Sequence, residues 1–78
     1  MWTVAVEEGL SPVRELLASQ GHRVVDPKTN LGDVDAVVLT GGDDDFLGNE
    51  RTRTKAPVID ARGRSADSIV QEISRRLG

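Results

Sequence analysis

The chain has no cysteine and no tyrosine, with one tryptophan, one phenylalanine and one histidine. Without cysteine there are neither disulfides nor thiolate zinc sites. A single histidine, His22, excludes histidine-cluster metal centres. With so few aromatics, the core has to be assembled from aliphatic side chains. No apolar run approaches the roughly 18 residues that a membrane helix needs. The opening stretch MWTVAVEEGL lacks a basic leader, and its apolar run is broken by Glu7 and Glu8. No signal peptide is therefore expected, and the chain reads as soluble and cytoplasmic. Internal repeats, low-complexity tracts and linkers are missing too, so residues 1–78 are expected to form a single domain.

A chain of 78 residues buries only about 60–65% of the surface its unfolded form exposes. Small domains without disulfides or metals often gain stability by pairing with a copy of themselves, so a homodimer is expected. The net charge of −3 is unevenly spread: residues 1–50 carry three basic and ten acidic side chains, and residues 51–78 carry seven basic and three acidic. Such asymmetry suits an anionic partner or head-to-tail association. The favoured explanation is that the fold brings the two signs together.

Four segments have strand character: 2–6, 23–26, 34–40 and 57–61. Residues 34–40, VDAVVLT, form a near-continuous apolar run, which suits a central strand buried on both faces. Pro57 stands at the start of the last segment, an acceptable place for a residue without a backbone donor. Between the first two strands, Val13, Leu16 and Leu17 follow helical spacing. Ser11 is expected as the N-cap of that helix, Pro12 as its first residue and Gly21 as its stop. Ser65 is expected to cap a final helix whose apolar stripe is Ala66, Ile69, Val70, Ile73 and Leu77. Asp67 in its first turn and Arg75 and Arg76 in its last suit the helix dipole. A short helix is also expected near 46–53.

Strands alternating with helices point to an α/β fold with a small, mostly parallel four-stranded sheet. The expected strand order is 2-1-3-4, a truncated receiver- or flavodoxin-like arrangement. The short connection 27–33 has no room for a regular helix, which leaves an antiparallel second strand as the alternative. In open sheets of this kind ligands bind beyond the carboxyl ends of the strands, where the strand order switches. Here that edge gathers Glu7, Glu8 and Gly9 after the first strand and Thr40, Gly41, Gly42 and Asp43 after the third. Asp60 at the end of the fourth lies alongside, with Thr54 and Lys55 just before that strand.

Each of these features also has a plainer explanation. Asp43, Asp44 and Asp45 offer hard oxygen ligands for Mg²⁺ or Ca²⁺. Consecutive residues seldom all face one ion, and an EF-hand spacing is missing, so a turn or helix cap is favoured. Gly41 and Gly42 permit close backbone approach to an anion, yet no Walker lysine follows; a tight turn explains them. Adjacent Glu7 and Glu8 point to opposite sides, so at most one faces a site. Arg51, Arg53 and Lys55 lie on one side of an extended stretch, but no aromatic interleaves them for base stacking. Nucleic-acid binding is accordingly disfavoured. Ser11, Ser65, Ser68 and Ser74 read as caps or exposed helix positions, and His22 as a surface residue far from the edge. No nucleophile–base pair for acyl transfer is available.

In layout, the first 25 residues resemble a response-regulator receiver domain, with two acids after the first strand and a helix-to-strand passage. Thr40 occupies the place of the phosphoacceptor aspartate, and no fifth strand supplies the usual lysine. The shared layout therefore implies a fold and not phosphotransfer. A second resemblance spans nearly the whole chain. It rests on Val-Glu-x-Gly-Leu at 6–10, Thr-Gly-x-Asp at 40–43, Gly48, Thr-Lys-Ala-Pro-Val-Ile at 54–59, Ala61 and Gly63. In order and spacing these resemble the YkuS-like family of small bacterial proteins of uncharacterised function. That family often carries an amide side chain where Gly42 stands and Asn near Asp45, so this copy is more flexible and more acidic there. The resemblance implies a fold and supplies no activity, substrate or cofactor.

The expectation is thus a non-catalytic binding or regulatory module. It would meet a partner protein or small ligand at the carboxyl edge of the first and third strands. The alternative is an enzyme handling phosphate with Mg²⁺ held by Asp43 and Glu8, with Glu7 nearby.

Overall fold

A computed structural model describes residues 1–27, 33–40 and 56–77. The elements are β1 (Thr3–Val6), α1 (Ser11–Ser19), β2 (Arg23–Val25), β3 (Ala36–Leu39), β4 (Val58–Asp60) and α2 (Ala66–Leu77). The expected short helix near 46–53 and the Arg51–Lys55 stretch lie outside the described residues. The strands form one sheet in the order β2-β1-β3-β4. All three pairings are parallel, including β1 with β2, so the antiparallel alternative for β2 is set aside.

Alternation along the strands divides the core into two layers. Val4 and Val6 of β1, Ala36 and Val38 of β3, and Ile59 and Ala61 at β4 face the helices. There they meet Val13 and Leu17 of α1 and Ile69, Val70 and Ile73 of α2. Ala5, Val37 and Leu39 face the other way, with Val25 and Val58 packed against them. All four residues of β3 are completely buried, which is why its sequence shows an apolar run and no polar alternation. Each fully buried Val, Leu or Ile contributes about 1.5–3 kcal/mol relative to exposure.

The helix ends follow from local chemistry. Gly21 has φ 88°, which a Cβ would disfavour. Its N–H donates to the Ala18 carbonyl at 3.0 Å, and the His22 N–H donates to the Leu17 carbonyl at 3.0 Å. That pair of bonds is a Schellman closure of α1. Ser65 caps α2 as expected: its Oγ accepts the Ser68 N–H at 3.2 Å, and its carbonyl accepts the Ile69 N–H at 3.1 Å. The expectation for Ser11 is corrected. The Leu10 N–H donates to the Glu7 carbonyl at 3.0 Å, and the Leu10 carbonyl accepts the Arg14 N–H at 3.1 Å. This turn starts the helix one residue early. Leu10 becomes the N-cap without a side-chain bond, and Ser11 is already inside α1.

Among the described residues no helix is long and apolar enough to cross a membrane.

Candidate functional site

β3 ends between two rungs of backbone hydrogen bonding. On one side the Glu7 N–H donates to the Val38 carbonyl at 3.1 Å; on the other the Ala61 N–H donates to the Leu39 carbonyl at 2.7 Å. Both rungs extend the parallel ladders one residue beyond the strands, because parallel registers Val6↔Val38 and Leu39↔Asp60 are in phase. The chain segments starting at Glu7, Thr40 and Ala61 therefore leave the sheet side by side. This is the carboxyl edge at the β1/β3 switch point.

The expected site residues occupy this edge unequally. Glu7 and Thr40 are half-buried where β1 and β3 end, whereas Glu8 and Gly9 are exposed. Around Gly9 a Cβ would meet no atom within 4 Å, so its place is open to solvent. Asp60 is committed to its own turn. Its Oδ1 accepts the Arg62 N–H at 2.9 Å, and its carboxylate accepts from Arg62 Nε at 3.2 Å and Nη2 at 3.0 Å. The Arg62 side chain and then its backbone N–H hold the Asp60 carboxyl below the usual aspartate range. Asp60 is thus a fixed anion beside a cation, and a poor proton donor. Gly41, Gly42, Asp43, Thr54 and Lys55 lie outside the described residues. Among the described residues no group of three or more His, Cys, Asp or Glu side chains is placed to hold a metal ion.

Three arrangements went unrecognised in the sequence. At the amino end of the sheet, the Trp2 N–H donates to His22 Nδ1 at 3.1 Å. The two rings stack with centroids 4.3 Å apart and planes 8° apart. His22 is half-buried in this stack and is not the surface residue expected of it. The β1/β2 register brings the two together, since Thr3 pairs with Arg23 and the preceding residues must then be neighbours. Nearby, Asp35 accepts the Thr3 N–H on Oδ2 at 2.7 Å and returns its own N–H to the Thr3 carbonyl at 2.7 Å. Third, Arg64 reaches Ser68 Oγ with Nη2 at 2.9 Å and pairs with Glu72, which also accepts from Arg76 Nε at 2.9 Å. Spacing by four along a helix was the available signal for this ladder. Arg64, and then Arg76, hold the Glu72 carboxyl below the usual glutamate range. A groove of about 400 Å³ lined by Glu72, Arg75 and Arg76 opens near the C-terminal end of α2. That end is remote from the carboxyl edge, because α2 leaves the edge after β4 and runs back across the sheet.

A family model described as an uncharacterised protein family, UPF0180, matches residues 2–76. A UPF0180 protein of Bacillus pumilus is 42% identical over 79 residues, covering 99% of each chain. Another from Bacillus licheniformis is 40% identical over 76 residues, covering 95% of this chain and 94% of the relative. One from Bacillus velezensis is 37% identical over 76 residues, with the same coverage. No solved structure matches.

Proposed function

The chain belongs to the uncharacterised UPF0180 family, found in bacteria, and from that premise we propose that it is a non-catalytic binding or regulatory module. It works in the cytoplasm, and its contact surface is the carboxyl edge where β1 and β3 end. One observation carries this reading: the all-parallel order β2-β1-β3-β4 puts its switch point between β1 and β3, where open α/β sheets receive their ligands. The edge chemistry favours holding over turnover. Asp60 is already paired with Arg62, and Glu8 stands exposed beside half-buried Glu7 and Thr40.

The test is capture of partners from extract of the native cell by the intact chain, compared with two charge reversals. Glu8 lies at the edge; Glu15 is exposed on α1. A partner that is retained by Glu15→Lys and lost with Glu8→Lys supports the edge as the contact surface. Equal capture by both variants removes it. An NMR titration with Mg²⁺ is the second arm. Specific shifts confined to Glu7–Gly9 and Thr40 would put the alternative, Mg²⁺-dependent phosphate chemistry with Asp43, ahead of the binding module.

A further inference from the structure

The two outer strands of the sheet differ in what they leave unpaired. In β2, the Arg23 N–H donates to the Trp2 carbonyl at 2.8 Å, so Arg23 and Val25 turn their backbone groups toward β1. Only Val24 turns its N–H and C=O outward. That edge is further blunted, because α1 packs against β2, Arg23 is exposed, and the His22 N–H is already spent on α1. In β4 the Pro57 carbonyl accepts the Val37 N–H at 2.9 Å, and the Ala61 N–H donates to the Leu39 carbonyl. Pro57, Ile59 and Ala61 therefore face β3, and Val58 and Asp60 turn two N–H and two C=O groups outward. Among the described residues these four groups have no partner.

Sheet edges are usually protected by proline, by charge or by a covering element. At β4 the first two devices are ineffective. The missing donor of Pro57 falls on the β3 side, where it leaves the outer row intact. The one charge in the strand, Asp60, is compensated by Arg62.

We propose that β4 is a self-association surface, at which a second copy of this chain pairs its own β4 antiparallel about a two-fold axis at Ile59. The row is self-complementary. With Ile59 opposite its counterpart, Val58 of each copy lies opposite Asp60 of the other, and each such pair exchanges two N–H···O bonds. All four outward groups of each copy are then satisfied. Each Asp60 sits beside a valine, which avoids a like-charge pair across the seam. The two sheets become one, running β2-β1-β3-β4 and back again. The seam lies along β4, the outermost strand, whereas the proposed contact surface centres on the ends of β1 and β3; Asp60 belongs to both.

Light scattering on the full chain over a concentration series is the first measurement. The expected mass rises to twice the 8.4 kDa of one chain; a mass that stays at one chain overturns the proposal. Val58→Pro removes an outward donor and leaves the three β3-facing residues unchanged, so it is expected to abolish the pair while circular dichroism is preserved. A folded Val58→Pro variant that still pairs overturns the β4 assignment. Amide hydrogen exchange on the unmodified chain decides the matter without any variant. Val58 and Asp60 N–H groups are expected to gain at least about tenfold protection on dimerisation, as their groups pass from solvent to a ladder. Unprotected amides in a dimer overturn the assignment. Because the chain has no cysteine, the register is tested by mixing Val58→Cys and Asp60→Cys chains under oxidising conditions. The mixed disulfide should form in preference to either like pair, and preferential like pairing overturns the register.

Discussion

Val37 and Val38 are neighbours in β3, both completely buried, yet they belong to different halves of the core. Val38 faces α1 and α2, while Val37 sits with Ala5 and Leu39 on the face away from them. Val→Ala removes the equivalent of two methylenes, about 1.6 kcal/mol of transfer free energy at about 0.8 kcal/mol each. The unrelaxed cavity raises the cost to about 2–3 kcal/mol. Because both side chains are equally buried, Val37→Ala and Val38→Ala should destabilise the protein by similar amounts. Against roughly 4–12 kcal/mol for a chain of 78 residues, either loss is large. Equilibrium urea unfolding reads it directly. With a slope near 1 kcal/mol per molar, the midpoint should fall by about 2–3 M in each variant, with the slope unchanged. The reasoning fails if Val38→Ala shows the full loss while Val37→Ala costs less than about 0.5 kcal/mol, the range of ordinary surface substitutions. That result would mean the face opposite the helices is wet.

Ser65→Ala removes the α2 cap bond to the Ser68 N–H and should cost about 1 kcal/mol. Ser11→Ala, at a position that caps nothing, should stay within about 0.5 kcal/mol, and thermal melts of the two variants compared with the parent separate the cases. Glu72 carries the acid sensitivity of α2. Its folded carboxyl lies below its unfolded value of about 4.3, so its pairing with Arg64 and Arg76 stabilises fully above that pH and is lost as pH falls through the folded value. Glu72→Gln should therefore cost about 0.5–1.5 kcal/mol near neutrality and flatten the acid limb of a stability–pH curve. An unchanged acid limb would remove Glu72 from that role.

Much of the fold was legible in order of residues alone. The apolar run of β3, the helical spacing of Val13, Leu16 and Leu17, and the stripe Ala66–Leu77 each encode one element and its buried face. Gly21 and Ser65 marked helix ends, because a positive φ and an N-cap oxygen are demands that few residue types meet. Ser11 misled for the same kind of reason. It is an apt cap, but the Leu10–Glu7 turn decides where the helix begins. At the candidate edge, the positions of Glu7, Thr40 and Asp60 followed from strand order. The tying of Asp60 to Arg62 did not, since Asp60 read equally well as a free ligand.

The described helices and strands, the strand order 2-1-3-4 and hence the edge where β1 and β3 end could be read from the order of residues; the parallel orientation of β2 could not. Periodicity, glycine and proline are local signals, and right-handed connections leave few ways to assemble the pieces. Which distant residues meet was set by the assembled sheet. Trp2 rests on His22, Asp35 holds the start of β1, and β4 presents Val58 and Asp60 outward. Those pairings depend on register. A two-residue period leaves register ambiguous until the strands lie side by side and their hydrogen bonds choose one alignment.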